Sequence, residues 1–295
     1  MLSKLRTKHP ILFAIIVYLV FMFGMGIFAG IFNTVFKIAL PDQEALSGNL
    51  TVIGAELGAA LLLCLVLWRT GKLKLLSKKG KGFVGSLAVG AYVFLLMAFF
   101  FFTSISDQAE TGNLAVNFTS ASFTLILAMI AVGLTEELTA RALMGETFLE
   151  HFGTERSGVI KAVIVSGVIF GLMHLTNIFD GDATTIAIQV FSSMTGGFLF
   201  GAIYFRTGNI WSVIIIHGLY DAFASTQVWL FNGGVEVETG AVAYTPETIA
   251  IPVIMGLINL AVAFFLLRKK RIGEVKQNWP ELSEKAPAKV AKSAE

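Results

Sequence analysis

Apolar residues in this chain are gathered into long runs rather than alternating singly or recurring as short stripes. A helix needs roughly 20 residues to cross a hydrocarbon core of about 30 Å. On that measure the runs predict spans near residues 11–36, 52–68, 83–103, 118 to about 150, 159–177, 183–205, 210–231 and 249–267. Lipid admits only helices or closed barrels, and these runs lack the two-residue alternation of barrel strands. The predicted fold class is all-α, a polytopic membrane protein with eight transmembrane helices.

Composition sharpens this. Hydrophobic residues make up 55% of the 295 and charged ones 14%, with a mean hydropathy of +0.76. Average soluble domains carry about 25% charged residues. A water-soluble fold is excluded, and the expected partner is the lipid bilayer, not nucleic acid. The single cysteine, Cys64, lies between Leu63 and Leu65, so no intrachain disulfide forms.

Net charge is only +2, but the basic residues are unevenly placed. Lys4, Arg6 and Lys8 precede the first run; Arg69, Lys72, Lys74, Lys78, Lys79 and Lys81 fill the second loop; Arg268 to Arg271 follow the last run. The intervening loops hold Asp42, Glu44, Asp107, Glu110, Asp180, Asp182, Glu236, Glu238 and Glu247. The positive-inside rule places the basic ends, and with them both termini, in the cytoplasm of a multi-pass cell-membrane protein. Two cytoplasmic termini require an even number of spans. The first run is too long for a signal-peptide core and is read as a span.

No loop is long enough for a separate module, so residues 1–272 form one membrane domain. Residues 273–295, with Pro280, Pro287 and little apolar content, are expected to be a disordered cytoplasmic tail. Gly26 with Gly30, and Gly197 with Gly201, repeat at a spacing that suits close helix packing.

Ionisable groups inside spans cost at least ~2.5 kcal/mol each, so each is a functional candidate. They concentrate in the carboxyl half: Glu136, Glu137 and Arg141 in the fourth span, His174 in the fifth, His217 and Asp221 in the seventh. Glu137 and Arg141, four apart, share a helix face, whereas Glu136 points about 100° away. Glu137 is therefore expected to pair with Arg141, leaving Glu136 to face a cavity. Phe170 with His174, and His217 with Asp221, also project from common faces. At 1.5 Å per residue, Glu136, His217 and His174 lie roughly 20, 10 and 22 Å deep, compatible with one cavity inside the bundle. Glu56 in the second span reads as structural or pore-lining, His9 and His151 as surface residues, and Phe170 as packing.

At these residues the sequence resembles the CAAX-protease and bacteriocin-processing family, also called the Abi group. Glu136 to Arg141 resembles its first motif, Phe170 to His174 its Phe-x-x-x-His motif, and His217 to Asp221 its His-x-x-x-Asn motif, with Asp in the last place. The stretch from Arg206 to Trp211 has the family look, and the family-like core spans about 118–229. The resemblance implies an eight-helix fold like that of the Ras-converting CAAX endopeptidases. It also implies hydrolysis of a peptide bond of a membrane-associated or lipidated protein or peptide. On that pattern Glu136 and His174 activate a water, while His217 and Asp221 stabilise the oxyanion or complete a metal site. Glu137, Arg141 and Phe170 support them. An ionised Asp cannot donate a hydrogen bond, so Asp221 is expected to orient His217 or bind metal.

Metal use stays open here. Glu136, His174 and His217 form a two-His, one-carboxylate set of the kind zinc takes. There is no His-Glu-x-x-His motif, however, and using Glu136 as a ligand removes the obvious base. Two other readings are carried beside the protease. One is a proton-coupled transporter with a Glu/His relay, which the absence of a sequence repeat disfavours. The other is a non-catalytic immunity factor or scaffold.

The charge pattern makes a direct prediction. A cysteine placed at Lys79 should be labelled by an impermeant thiol reagent only from the cytoplasmic side, and one at Asp107 only from outside. The reverse pattern would invert the topology.

Overall fold

The computed structural model describes residues 2–179, 182–235 and 245–283. Asp180, Glu236, Glu238 and the tail from 284 fall outside these. The short α1 (Leu2–Lys8) leads into α2 (Pro10–Ala39), where Pro10 takes the first turn, the place a helix tolerates it best. α3 (Glu44–Arg69) returns along α2, and α4 (Phe83–Val89) and α5 (Ala91–Glu110) follow. The expected third span is thus broken at Gly90. There α10 comes so near that an added methyl would stand 2.9 Å from the Cδ1 of Ile216.

α6 (Ser120–Glu137) opens on a capping box between Thr119 and Ser122. It does not stop at Glu137. Leu138–Gly145 continue it with widened i→i+5 turns, and α7 (Glu146–Phe152) completes one 33-residue stretch. Such widened turns cluster at functional sites. α8 (Arg156–Met173) ends in a 3₁₀ turn, His174–Phe179. α9 (Ala183–Thr207) starts on an Asp182 cap and stops at left-handed Gly208.

α10 (Ile210–Ala224) is shorter than the expected 210–231 span. At 15 residues it covers about 22 Å. Thr226 Oγ1 and the Trp229 indole bond the carbonyls of Phe223 and Ala222, which diverts the backbone before a widened turn at Gln227–Phe231. α11 (Pro246–Leu266) is the last span, and α12 (Ile272–Asn278) and α13 (Pro280–Ser283) follow it. Seven helical stretches among the described residues are long and apolar enough to cross a membrane, and α10 is the shorter eighth. The described residues contain no strand. The eight-helix, all-α expectation holds.

α6 packs between α3 and α10, while α8 and α11 both pack on α9. Rows of apolar side chains, such as Phe23, Ile27 and Ile31 on α2 and Ile254, Leu257 and Phe265 on α11, face outward. The tightest crossing lies between α6 and α10. A methyl on Gly133 would stand 2.8 Å from the backbone nitrogen of Gly218, and one on Gly218 would stand 2.5 Å from the Cα of Ile130. Gly197 likewise abuts the backbone of Gly167. Gly26 and Gly30 do not pack: nothing among the described residues lies within 4 Å of a methyl at either. Their spacing is that of a packing motif, but the face they share points away from the bundle.

The expected disordered tail begins too early at 273. α12 and α13 fold back on the end of α9, burying Val275, Trp279 and Leu282. The Trp279 indole donates to the Phe205 carbonyl, and Lys78 Nζ sits 3.4 Å above the Trp279 ring. Three widely spaced apolar residues gave too weak a run to register in the sequence, yet they suffice once a helix end offers a groove. Glu274 accepts from Arg206 at 2.8 Å and Arg271 at 2.6 Å, with Lys81 at 3.1 Å.

Burial alone would push the Glu274 carboxyl up, but its three cationic partners outweigh this and bring it from 4.5 down to about 2. A carboxyl depressed on folding stabilises above its unfolded value and loses that contribution as pH falls towards its folded one. The melting-temperature gap between wild type and Glu274→Gln should therefore be widest above pH 4.5 and close between 4.5 and about 2. A gap that does not change with pH would rule out the ionised cluster.

Candidate active site

The Gly133–Gly218 crossing brings the end of α6 against the middle of α10. Glu137, one turn beyond Gly133, is fully buried and reaches His217 on α10: the imidazole Nδ1 lies 2.7 Å from Glu137 Oε1. Its other oxygen, Oε2, lies 3.1 Å from Arg141 Nε, a close ion pair without hydrogen-bond alignment. The expected Glu137–Arg141 pairing is present, and the carboxylate also takes a second partner eighty residues away.

Arg141 is 2% exposed and held between two rings, its guanidinium carbon 4.6 Å from the Phe170 centroid and 5.7 Å from that of Phe200. Phe200 in turn stacks on His217 at 4.5 Å, and Phe170 meets His174 edge-on at 5.1 Å. Phe170 therefore does more than fill space. Cation–π contacts in a desolvated setting are worth about 2 kcal/mol, and here they fix the ring planes beside both histidines.

Glu136, by contrast, opens onto a cavity of about 340 Å³ shared with His174, His217 and Asp221. Its Oε1 is 3.8 Å from His174 Nε2 and its Oε2 is 3.6 Å from His217 Nε2. These separations are too long for direct hydrogen bonds and suit a molecule lodged between the groups. His174 Nδ1 lies 3.0 Å from the Phe170 carbonyl, which can only accept. The proton of neutral His174 is thereby fixed on Nδ1, and Nε2 presents a lone pair to the cavity.

Asp221 lies beside His217, as the four-residue spacing implies. Its Oδ2 lies 3.5 Å from His217 Nε2, on the cavity side, while the short contact that orients the ring comes from Glu137 at Nδ1. One helical turn puts the Asp beside the imidazole, but the nitrogen it reaches is the one facing the cavity. Glu56 is buried and accepts from Thr135 Oγ1, in keeping with a structural role, and His9 and His151 are exposed.

Phe200, Tyr220, Asn177, Gln189, Ser192 and Ser193 also line the cavity and were not singled out from the sequence. Gln189 carried a signal, being an amide inside a predicted span. Phe200 carried none, as one phenylalanine among 26.

Among the described residues no group of three or more His, Cys, Asp and Glu side chains is gathered so as to hold a metal ion. Glu136 offers a different oxygen to each imidazole, and the set Glu136, His174 and His217 does not close around one point. No step below is routed through a metal.

A carboxylate and two imidazoles thus face one cavity from three helical segments. Residues 118–223, which contain each of these groups, match the family described as Rce1-like, type II CAAX prenyl endopeptidase Rce1-like. Over these residues the chain is similar to the CAAX-type prenyl endopeptidases. No curated protein and no solved structure matches it.

The shared use of Glu137 sets a test. Glu137→Gln and Arg141→Gln should each lower the melting temperature in detergent, since breaking a buried pair costs ~3–5 kcal/mol. The double variant should lose less than the sum of the two, because no orphan charge remains. Additive losses would show that the pair is not coupled.

Proposed function

We propose that the chain is an endopeptidase hydrolysing, within the bilayer, a peptide bond of a membrane-associated or lipidated protein or peptide. The supporting observation is the convergence of Glu136, His174 and His217 on one cavity inside the helical bundle. The family description, a prenyl endopeptidase, favours a lipid-modified chain as the substrate. The distribution of Lys and Arg favours cytoplasmic termini.

In this mechanism a water sits between the Glu136 carboxylate and the Nε2 lone pair of His174. Glu136 takes one proton as the water oxygen attacks the scissile carbonyl, forming the new C–O bond. His217, protonated and held at Nδ1 by Glu137, turns Nε2–H to the developing oxyanion. Glu136 then returns its proton to the amine nitrogen as the C–N bond breaks, leaving a carboxyl and an amine. Asp221 shares the Nε2 proton before substrate arrives and steadies the imidazolium.

Glu136→Gln should abolish cleavage of a lipidated peptide in detergent or liposomes while leaving the melting temperature unchanged, as Glu136 faces the cavity and not the Arg141 pair. General-base removal costs about 10²-fold or more. Residual activity above about a hundredth of wild type would mean that another group activates the water.

A further inference from the structure

The cavity has a second wall, away from the carboxylate. Gln189, Ser192, Ser193, Gly196 and Phe200 recur at helical spacing along one face of α9, and all line the cavity. Gly196 faces open space, with nothing within 4 Å of a methyl placed there, so a bound chain can approach the helix backbone closely. At the far end of this stripe the Asn177 Nδ2 donates to the Gln189 Oε1 at 3.0 Å. That bond uses one half of each amide. Asn177 Oδ1 and the Gln189 Nε2 hydrogens have no other partner among the described residues.

An amide pair so joined offers one acceptor and one donor side by side. A residue of an extended chain presents the complement along one edge, its own N–H and its own C=O. In lipid an amide left half-bonded is costly, and here the free halves border a cavity rather than the apolar surroundings. We infer that Asn177 and Gln189 are positioning residues that grip one residue of the extended substrate backbone: its N–H donates to Asn177 Oδ1 and its C=O accepts from Gln189 Nε2. This rests on the peptide-hydrolysis reading above and names how that site holds an extended chain.

The geometry also points to which residue. Asn177 is three residues past His174 on a 3₁₀ turn, which rises about 2.0 Å per residue, so it stands ~6 Å further along the cavity. An extended chain advances ~3.3 Å per residue. The gripped residue therefore lies about two residues from the scissile bond, on the side running towards Phe179. Recognition through main-chain hydrogen bonds holds the substrate extended regardless of its side chains, as strand-addition modes do elsewhere.

The test uses the full-length protein and a quenched-fluorescent farnesylated peptide. A series of analogues replaces single backbone N–H groups by ester oxygen, one position at a time across three residues on each side of the cleaved bond. For wild type, the ester two residues away should lower kcat/KM by about tenfold, the worth of one net hydrogen bond. For Asn177→Leu the all-amide peptide should already be cleaved about tenfold more slowly, and the same ester should add less than about twofold. Gln189→Met, which removes the donor, provides a second variant should Asn177→Leu fail to fold, and should likewise slow the all-amide peptide. A purely structural pair would leave the ester penalty equal in wild type and variant, which overturns the inference while the protease reading stands. No cleavage of the all-amide peptide by wild type overturns both.

Discussion

A carboxylate with no path to water inside a bilayer has to be matched by partners, and Glu137 is matched twice. One oxygen meets the His217 imidazole and the other the Arg141 guanidinium. Two helices and a widened turn are tied through one side chain, and everything around it follows. Arg141 is drawn inward and has to be covered, which Phe170 and Phe200 do. Those rings then set the planes of His174 and His217. Glu136, one residue earlier, is released from any ion pair with Arg141 and left facing the cavity. Adjacent glutamates acquire opposite tasks because one residue turns a helix by about 100°.

The ends of the helices that carry the basic segments are organised by a second set of charges. Arg6 of α1 and Lys72 after α3 both reach Glu146 and Glu150 on α7, with Arg6 to Glu146 at 2.6 Å and Lys72 to Glu146 at 2.5 Å. α7 is the continuation of the helix that carries Glu136. The lower end of that helix is thus anchored to the first and third helices, and the end of α9 is held by Trp279 and Glu274. Charged groups that the sequence offered only as topology signals also brace the two helices that flank the cavity.

What the sequence made legible and what it hid divide along range. Spans show as apolar runs, and pairs such as Glu137 with Arg141 show as i,i+4 spacings, because both are local. The free face of Glu136 follows from the same local geometry. The contact of Glu137 with His217 does not, since eighty residues separate them and only the glycine crossing brings them together. The place of Asp221 was legible only in part: spacing says that an Asp lies beside a His, not which ring nitrogen it meets. The break at Gly90 and the folding of residues 272–283 were hidden as well, since each depends on a groove made by another helix. The cavity's amides needed the fold to show that they meet each other.

The crossing of α6 over α10 is made by backbone on backbone, with no side chain between Gly133 and Gly218. The separation of the α6 carboxylates from the α10 imidazole is consequently a fixed dimension of the main chain, insensitive to rotamer exchange in the surrounding core. Thermal slack can enter only as rigid movement of a whole helix, and α10 is the shortest of the eight spans.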